Sequence, residues 1–239
     1  MTTAEKKFFV IRTAGNFLLL FAIFGVFSTF GPALYFEAQY RVIQARGITY
    51  RIAEGENLAA LVKNQGKSQP SFGDLLVGTT EQELVPPDEN FSIVIPKIGA
   101  SAKVSPNIDP SDENSFLPVL SEGVAHAQGT VFPGLPGNIY LFAHSTDNFW
   151  NVGRYNAIFY LLKDLKEGDE IAVFFQGKRH NYFVTQTRVV DSSDVSFITE
   201  AKTGDEQLIL QTCWPPGTTW KRLLVFARPR NTDVIFKTD

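Results

Sequence analysis

Twenty-four consecutive residues, Thr13 to Phe36, carry no charge, and the dense apolar run "FLLLFAIFGVFSTF" lies within them. A helix of about 20 such residues crosses the hydrocarbon core of a bilayer. The stretch therefore reads as one transmembrane anchor. Lys6, Lys7 and Arg12 precede it and Glu37 follows it, so the charge asymmetry predicts a cytoplasmic N-terminus and an extracytoplasmic remainder. A cleaved signal peptide would have an apolar region of about 7–15 residues ending in a small-x-small site. Gly31-Pro32-Ala33 is a poor version of that site, so the expectation is an uncleaved, single-pass cell-membrane protein.

The 239 residues leave room outside the membrane for one domain with a real core and some accessory structure. A formal net charge of -3 offers no basic face for nucleic acid, and that class of partner drops out. Cys213 is the only cysteine. Outside the cytosol a lone thiol cannot form an internal disulfide and is exposed to oxidation. It is either deeply buried or kept for its chemistry.

Three regions follow from the pattern: 1–36, the cytoplasmic tip and anchor; 37–90, a juxtamembrane spacer; and 91–239, a β-rich domain. In the spacer, residues 37–65 mix charges and apolar residues at spacings of three and four, which predicts one or two amphipathic helices. From Gly66 to Asn90 the chain turns polar, with Pro70, Pro86, Pro87 and a short ordered patch near "FGDLLVG". From Phe91 onward come short β-rich runs: "FSIVIPKI", "GNIYLFAH", "DEIAVFFQ", "RHNYFVTQTRVV", "EQLILQTC" and "WKRLLVFARP". They predict an all-β domain of seven or eight strands, with a helical turn near "NAIFYLLKDL". Strand spacing alone leaves barrel and sandwich both open.

Alternation along "EQLILQTC" assigns Leu208, Leu210 and Thr212 to one face and Ile209, Gln211 and Cys213 to the other. Trp214-Pro215-Pro216-Gly217 cannot continue a central strand, because proline donates no ladder hydrogen bond. Cys213 therefore stands at a strand end beside a stiff loop, a common position for active residues. A thiol with an ordinary pKa near 8.5 needs a base or a cation beside it. Of three histidines, His144 closes a strand before the polar Ser145-Thr146-Asp147 and is the best positioned. His126 lies in a stretch that reads as a loop, and His180 reads as a solvated turn between strands. Arg222 shares a strand face with Leu224 and Phe226, where a charge calls for a partner: an oxyanion or a nearby carboxylate.

These residues also carry a resemblance. "IPKIG" at Ile95–Gly99, "GVAHAQGTVFPGLPGNIYLFAHS" at Gly123–Ser145 and "LQTCWPPGTTWKRLLVFAR" at Leu210–Arg228 resemble the sortases, membrane-anchored cysteine transpeptidases of Gram-positive-type envelopes. The ordered set of a His-bearing strand, a Thr-Cys pair and an arginine nine residues after the cysteine is specific. The resemblance covers roughly Phe91 to Pro229. It implies a closed eight-stranded β-barrel with short helices, Cys213 as nucleophile, His144 as acid/base partner and Arg222 as the group that binds substrate carbonyls and the oxyanion. It further implies Thr212 and His126 as contacts on the substrate side. The activity implied is cleavage of an LPxTG-like sorting signal at its Thr–Gly bond and transfer of the acyl group to an amine on the envelope or a pilin. The partners are then proteins with a C-terminal sorting signal, an amine acceptor and the membrane, with no cofactor and no metal. Residues 37–90 and the Trp214-Pro215-Pro216 loop depart from the best-known housekeeping members, so subclass, housekeeping or pilus role and sorting motif stay open.

Two other cysteine enzymes fit less well. An L,D-transpeptidase needs a histidine and glycine close before the cysteine and an arginine almost directly after it, whereas Thr212 and Trp214 flank Cys213. A papain-type peptidase runs cysteine before histidine, the reverse of the order here. A membrane-tethered sortase-like β-domain that binds without turnover is the alternative from a different class.

Overall fold

The computed structural model describes residues 2–53, 81–145 and 158–230. One long helix, α1 (Thr3–Ala45), opens the chain; the Thr2 hydroxyl and the Glu5 carboxylate cap its first turn reciprocally. Its segment Thr3–Ser28 has a mean hydropathy of 1.9 and is long and apolar enough to cross a membrane. Its side chains, Phe17 and Leu20 among them, are exposed, as an element that meets lipid requires.

Eight strands close into a barrel: β3 (Phe91–Ile95), β4 (Ala100–Ile108), β5 (Val124–Ala127), β6 (Asn138–Phe142), β7 (Glu170–Phe175), β8 (Lys178–Asp191), β9 (Gln207–Trp214) and β10 (Lys221–Pro229). Around the barrel their order is β10-β8-β7-β3-β4-β5-β6-β9. The β4–β5 and β6–β9 pairs are parallel and the other pairs antiparallel. A parallel pair cannot be joined by a tight hairpin, so each needs a crossover. Helix α2 (Glu113–Leu120) lies on the first crossover and α3 (Ser196–Thr199) on the chain leading to β9. Closure removes every sheet edge from the barrel.

The interior is filled from all eight strands by side chains such as Ile93, Val104, Leu141, Val173, Leu210 and Val225. Phe159, Leu162 and Leu165, in and around a 3-10 turn at Tyr160–Asp164, join the same cluster. Each fully buried side chain of this size contributes about 1.5–3 kcal/mol of transfer free energy. This is the expected helical turn within "NAIFYLLKDL".

Two barrel strands escape pattern reading. Along β4 the inward positions are Ala100, Ala102 and Val104, which are small and alternate with polar residues, so the hydrophobic signal is faint. The four residues of β5 are all buried, His126 among them, because both of its faces are covered; alternation cannot appear there. His126, expected in a loop, is instead a core residue with no exposed surface. A bulge in β4 puts Asn107 in the left-handed region (φ 55°) and turns its N–H onto His126 Nδ1 at 3.3 Å. Nε2 then carries the proton and donates to the Val131 carbonyl at 3.0 Å, with the Thr130 hydroxyl oxygen also 3.0 Å away. The ring stacks on Phe132 at a centroid distance of 4.5 Å.

The described part of the segment read as a spacer packs on the barrel. Helix α1 runs on to Ala45, and β1 (Thr49–Ile52), expected to be helical, pairs in parallel with β2 (Glu81–Leu84). Ile52 and Leu84 of this small sheet cover Val94, Ala172 and Phe174 on the outside of β3 and β7. Tyr50 crosses so close to Gly99 (φ 63°) that a Cβ there would lie 2.9 Å from its ring. Lys163 pairs with Glu37 at 3.0 Å and with Asp164 at 3.3 Å. Hydrogen bonds from Lys163 and then Arg41 hold the Glu37 carboxyl below the usual carboxylate range. The remainder of the expected amphipathic stretch and the "FGDLLVG" patch lie outside the described residues.

Two outcomes test this packing. At Gly137 φ is 116° and a Cβ would clash with the Ala201 carbonyl oxygen, at the start of β6. Gly137→Ala is expected to cost more than about 2 kcal/mol in denaturant unfolding, because strain and a steric clash add. Burial depresses the His126 pKa, with the Val131 hydrogen bond opposing. The unfolded chain therefore takes up a proton that the folded chain refuses. Stability should be intact above about pH 6.5 and decline as the pH falls from there toward the depressed folded value. Unfolding curves at pH 7.5 and 5.5 check this; His126→Gln should be less stable at pH 7.5 and lose less between the two.

Candidate active site

Strands β6, β9 and β10 lie side by side, and their register fixes which side chains meet. Phe142 pairs with Gln211 and Gln211 with Leu224; the next outward row pairs Cys213 with Arg222. Alternation turns Leu208, Leu210, Leu223 and Val225 into the barrel and leaves Ile209, Leu224 and Phe226 on the outside. Cys213 and Arg222 are therefore cross-strand neighbours on the outer face, both half-buried.

His144 belongs to the same end. The ladder continues past the last residue of β6, because Ala143 N–H donates to the Gln211 carbonyl at 3.2 Å. From the other side the Thr212 hydroxyl donates to the Ala143 carbonyl at 3.1 Å. Counting on in parallel register from Phe142–Gln211 brings Ala143 level with Thr212 and His144 level with Cys213. His144 is half-buried and stands immediately before the polar stretch that begins at Ser145. Cys213 and Arg222 thus meet across adjacent strands, and His144 lies just past the end of the third strand, at the same end of the barrel.

The other candidates stand elsewhere. Thr212 is 1% exposed and points inward, with its hydroxyl committed to Ala143. His126 is in the core on β5. His180 lies on β8 opposite Val173, and β8 is separated from β9 by β10.

Arg222 Nη1 donates to the carbonyls of Thr219 at 3.1 Å and Lys221 at 3.2 Å, both in or beside the turn after β9. Among the described residues it has no carboxylate partner, so the carboxylate expected as one of two partners is replaced by backbone carbonyls. Carbonyls orient a guanidinium without neutralising it. Its remaining N–H groups stay available for an acceptor on the same face. A second guanidinium, Arg188, lies 5.5 Å from the Phe226 ring centroid and borders the face from β8.

The rest of this face is apolar. Ala125, Ala127, Tyr140, Phe142, Ile209, Leu224 and Phe226 form one cluster, flanked by Phe116 and Leu120 of α2 and by Phe197 and Ile198 of α3. The helices cover this cluster, whose residues are at most 6% exposed, and the half-buried Gln211, Cys213 and Arg222 mark the end of the face that stays open. One polar contact interrupts the cluster: Tyr140 O–H donates to Gln211 Oε1 at 2.8 Å. Sequence reading did not single out this pair. Alternation assigns Gln211 to the face of Cys213, but only the parallel pairing of β6 with β9 brings Tyr140 to it. Among the described residues, no three His, Cys, Asp or Glu side chains are grouped to hold a metal.

The sortase domain family model matches residues 93–230, more than half of the chain. Among curated proteins the chain is 28% identical over 137 residues to Sortase D of Bacillus subtilis (strain 168), a match covering 56% of this chain and 60% of that protein. Among solved structures it is similar to sortase C-1 from Actinomyces oris, at 29% identity over 58% of this chain and 72% of that one, with a TM-score of 0.48. A Sortase D5 transpeptidase from Clostridium perfringens is 23% identical over 60% of this chain and 80% of that one, with a TM-score of 0.47. The closed barrel stands on its own strand pairing, and the family match spans it almost from end to end: the chain belongs to the sortase family.

Proposed function

We propose that this chain is a membrane-anchored cysteine transpeptidase that cleaves an LPxTG-like sorting signal and transfers the acyl part to an amine. The register that pairs Cys213 with Arg222 and brings His144 level with them, at the end of an apolar face, carries the reading. The Cys213 thiolate attacks the carbonyl of the scissile Thr–Gly bond. Guanidinium N–H groups of Arg222 meet the oxygen as it gains charge, an interaction stronger in the transition state than in the ground state. The imidazolium of His144 gives its proton to the departing amine, leaving a thioester on Cys213. An incoming amine, deprotonated by His144, then attacks the thioester, and its peptide bond to the threonine carbonyl forms as the thiolate leaves.

Thr212 and His126 act in this reading through the fold. The Thr212 hydroxyl fixes the residue before His144, and His126 holds the β4 bulge. The positive residues before the span orient the N-terminus to the cytoplasm and the barrel outside, where sorting-signal proteins and the amine acceptor reside. Within the 37–90 region, the described residues 37–53 and 81–90 are docked on the barrel domain.

Cys213→Ala is expected to remove all cleavage of a fluorogenic sorting-signal peptide and all acyl-enzyme seen by mass spectrometry, with an unchanged unfolding curve. Residual turnover would overturn the mechanism, and an intact wild-type chain that forms no acyl-enzyme would favour a binding module. His144→Ala should be nearly as damaging, and His180→Ala without effect. Arg222→Lys keeps the charge but loses the planar fork of donors, so turnover should fall by roughly 10²–10³-fold while alkylation of Cys213 by iodoacetamide persists. Near-normal turnover by Arg222→Lys would leave that residue an electrostatic role only.

A further inference from the structure

One row back from Cys213 and Arg222, the outward side chains are Phe142, Gln211 and Leu224, in register across β6, β9 and β10. Phe142 and Leu224 are buried. Gln211 stands between them as a half-buried amide in an otherwise apolar row. An amide left there without partners would be costly, so its hydrogen bonds account for its presence. Its carbonyl accepts the Tyr140 hydroxyl at 2.8 Å. Tyr140 is itself only 2% exposed, its ring packed in the apolar cluster. Burial raises the Tyr140 pKa, against the opposing pull of the Arg222 guanidinium, so the phenol keeps its proton and remains a donor.

The carbonyl is thereby fixed, and the two N–H donors of the amide point the other way. Among the described residues Gln211 Nε2 has no hydrogen-bond partner, and it is not among the fully buried unpaired atoms. It is therefore within reach of solvent. Residues i and i−2 of a strand are about 6.5–7 Å apart, which is also the repeat of every second carbonyl in an extended peptide. An extended peptide along β9 with its scissile carbonyl at Cys213 therefore brings a second carbonyl to Gln211.

We propose that Gln211, held by Tyr140, is a positioning and specificity residue for the acyl peptide, donating Nε2–H to the backbone carbonyl two residues before the scissile one. This rests on the transpeptidase reading above. The pair sets the register of the peptide: a chain slipped by one residue turns its carbonyls to the other side and leaves the amide donors unpaired. Because Tyr140 has already removed the rotational freedom of the amide, the ordering cost of that bond is met before substrate arrives.

The full chain in detergent micelles, a fluorophore-tagged LPETG peptide and its analogue with the proline carbonyl reduced to CH2 provide the test. Gln211→Met keeps length and loses the donors. It should raise KM about fivefold, the size of one neutral hydrogen bond, with kcat within about twofold and the iodoacetamide rate at Cys213 unchanged. Tyr140→Phe should raise KM by a smaller factor. Wild type should discriminate against the reduced analogue by the same fivefold, and Gln211→Met should accept both peptides alike, a loss of discrimination that general loosening of the fold would not produce. An unchanged KM in Gln211→Met, or full discrimination retained by it, would overturn the proposal. Binding of the two peptides by fluorescence anisotropy separates this inference from the reading beneath it. Discrimination that depends on Gln211, without turnover in wild type, would uphold the inference and overturn the transpeptidase; turnover with equal binding by both forms would do the reverse.

Discussion

Backbone hydrogen bonds from β6 through β9 to β10 hold three side chains from distant parts of the sequence in one place. Arg222 follows Cys213 by nine residues and meets it across the β9–β10 hairpin, but His144 precedes it by 69, a separation that only long-range strand pairing spans. The antiparallel pairing sets Arg222 level with the cysteine, and the parallel one runs to Phe142–Gln211, two residues short of His144. A slip of one residue in either ladder would turn one partner into the barrel. Register is guarded by the interior, where Leu141, Leu210 and Val225 would have to exchange faces with Phe142, Gln211 and Leu224. The bond from Thr212 to Ala143 extends the ladder to the residue before His144. Core packing and site geometry are thus one constraint seen from two sides of the same sheet.

That coupling also determines what the sequence could reveal. Strands with large apolar residues, such as Phe91–Ile95 and Gln207–Trp214, announce themselves. Alternation alone assigns Cys213 and Gln211 to one face of β9 and Arg222 to the face of Leu224 and Phe226. Strand β4 hides because alanines face inward, and β5 hides because it is covered on both sides. His126 then looks like loop chemistry and proves to be core. The candidate site was legible because its residues sit at strand ends beside turn formers, signals that survive without knowing which strands pair. The Tyr140–Gln211 contact was not, since it depends on a parallel pairing between strands 69 residues apart.

The juxtamembrane region shows a second kind of illegibility. Charges and apolar residues at mixed spacing suit an amphipathic helix, yet residues 49–52 form a strand, because Ile52 and Leu84 find an apolar surface on β3 and β7 that only the folded barrel presents. Tertiary burial outweighs local propensity there. Tyr50 against Gly99 and Lys163 between Glu37 and Asp164 add a close contact and an ion pair to the same junction.

The continuity of α1 beyond Ser28 has a mechanical consequence. Glu37, the first residue after the uncharged stretch, lies in the same unbroken helix and is already fastened to the barrel domain through Lys163, so the joint between span and domain is a rigid one. A flexible leash would let the domain wander through a hemisphere of solution and meet its partners from any angle. With the apolar span held in a bilayer, a rigid joint would confine it to a thin layer parallel to the membrane, where lateral diffusion and rotation about the helix axis are the principal motions left. Encounters with other membrane-held molecules would then become a search in two dimensions, at a fixed height, and a partner would be engaged or missed according to how far its own reactive group stands from the lipid.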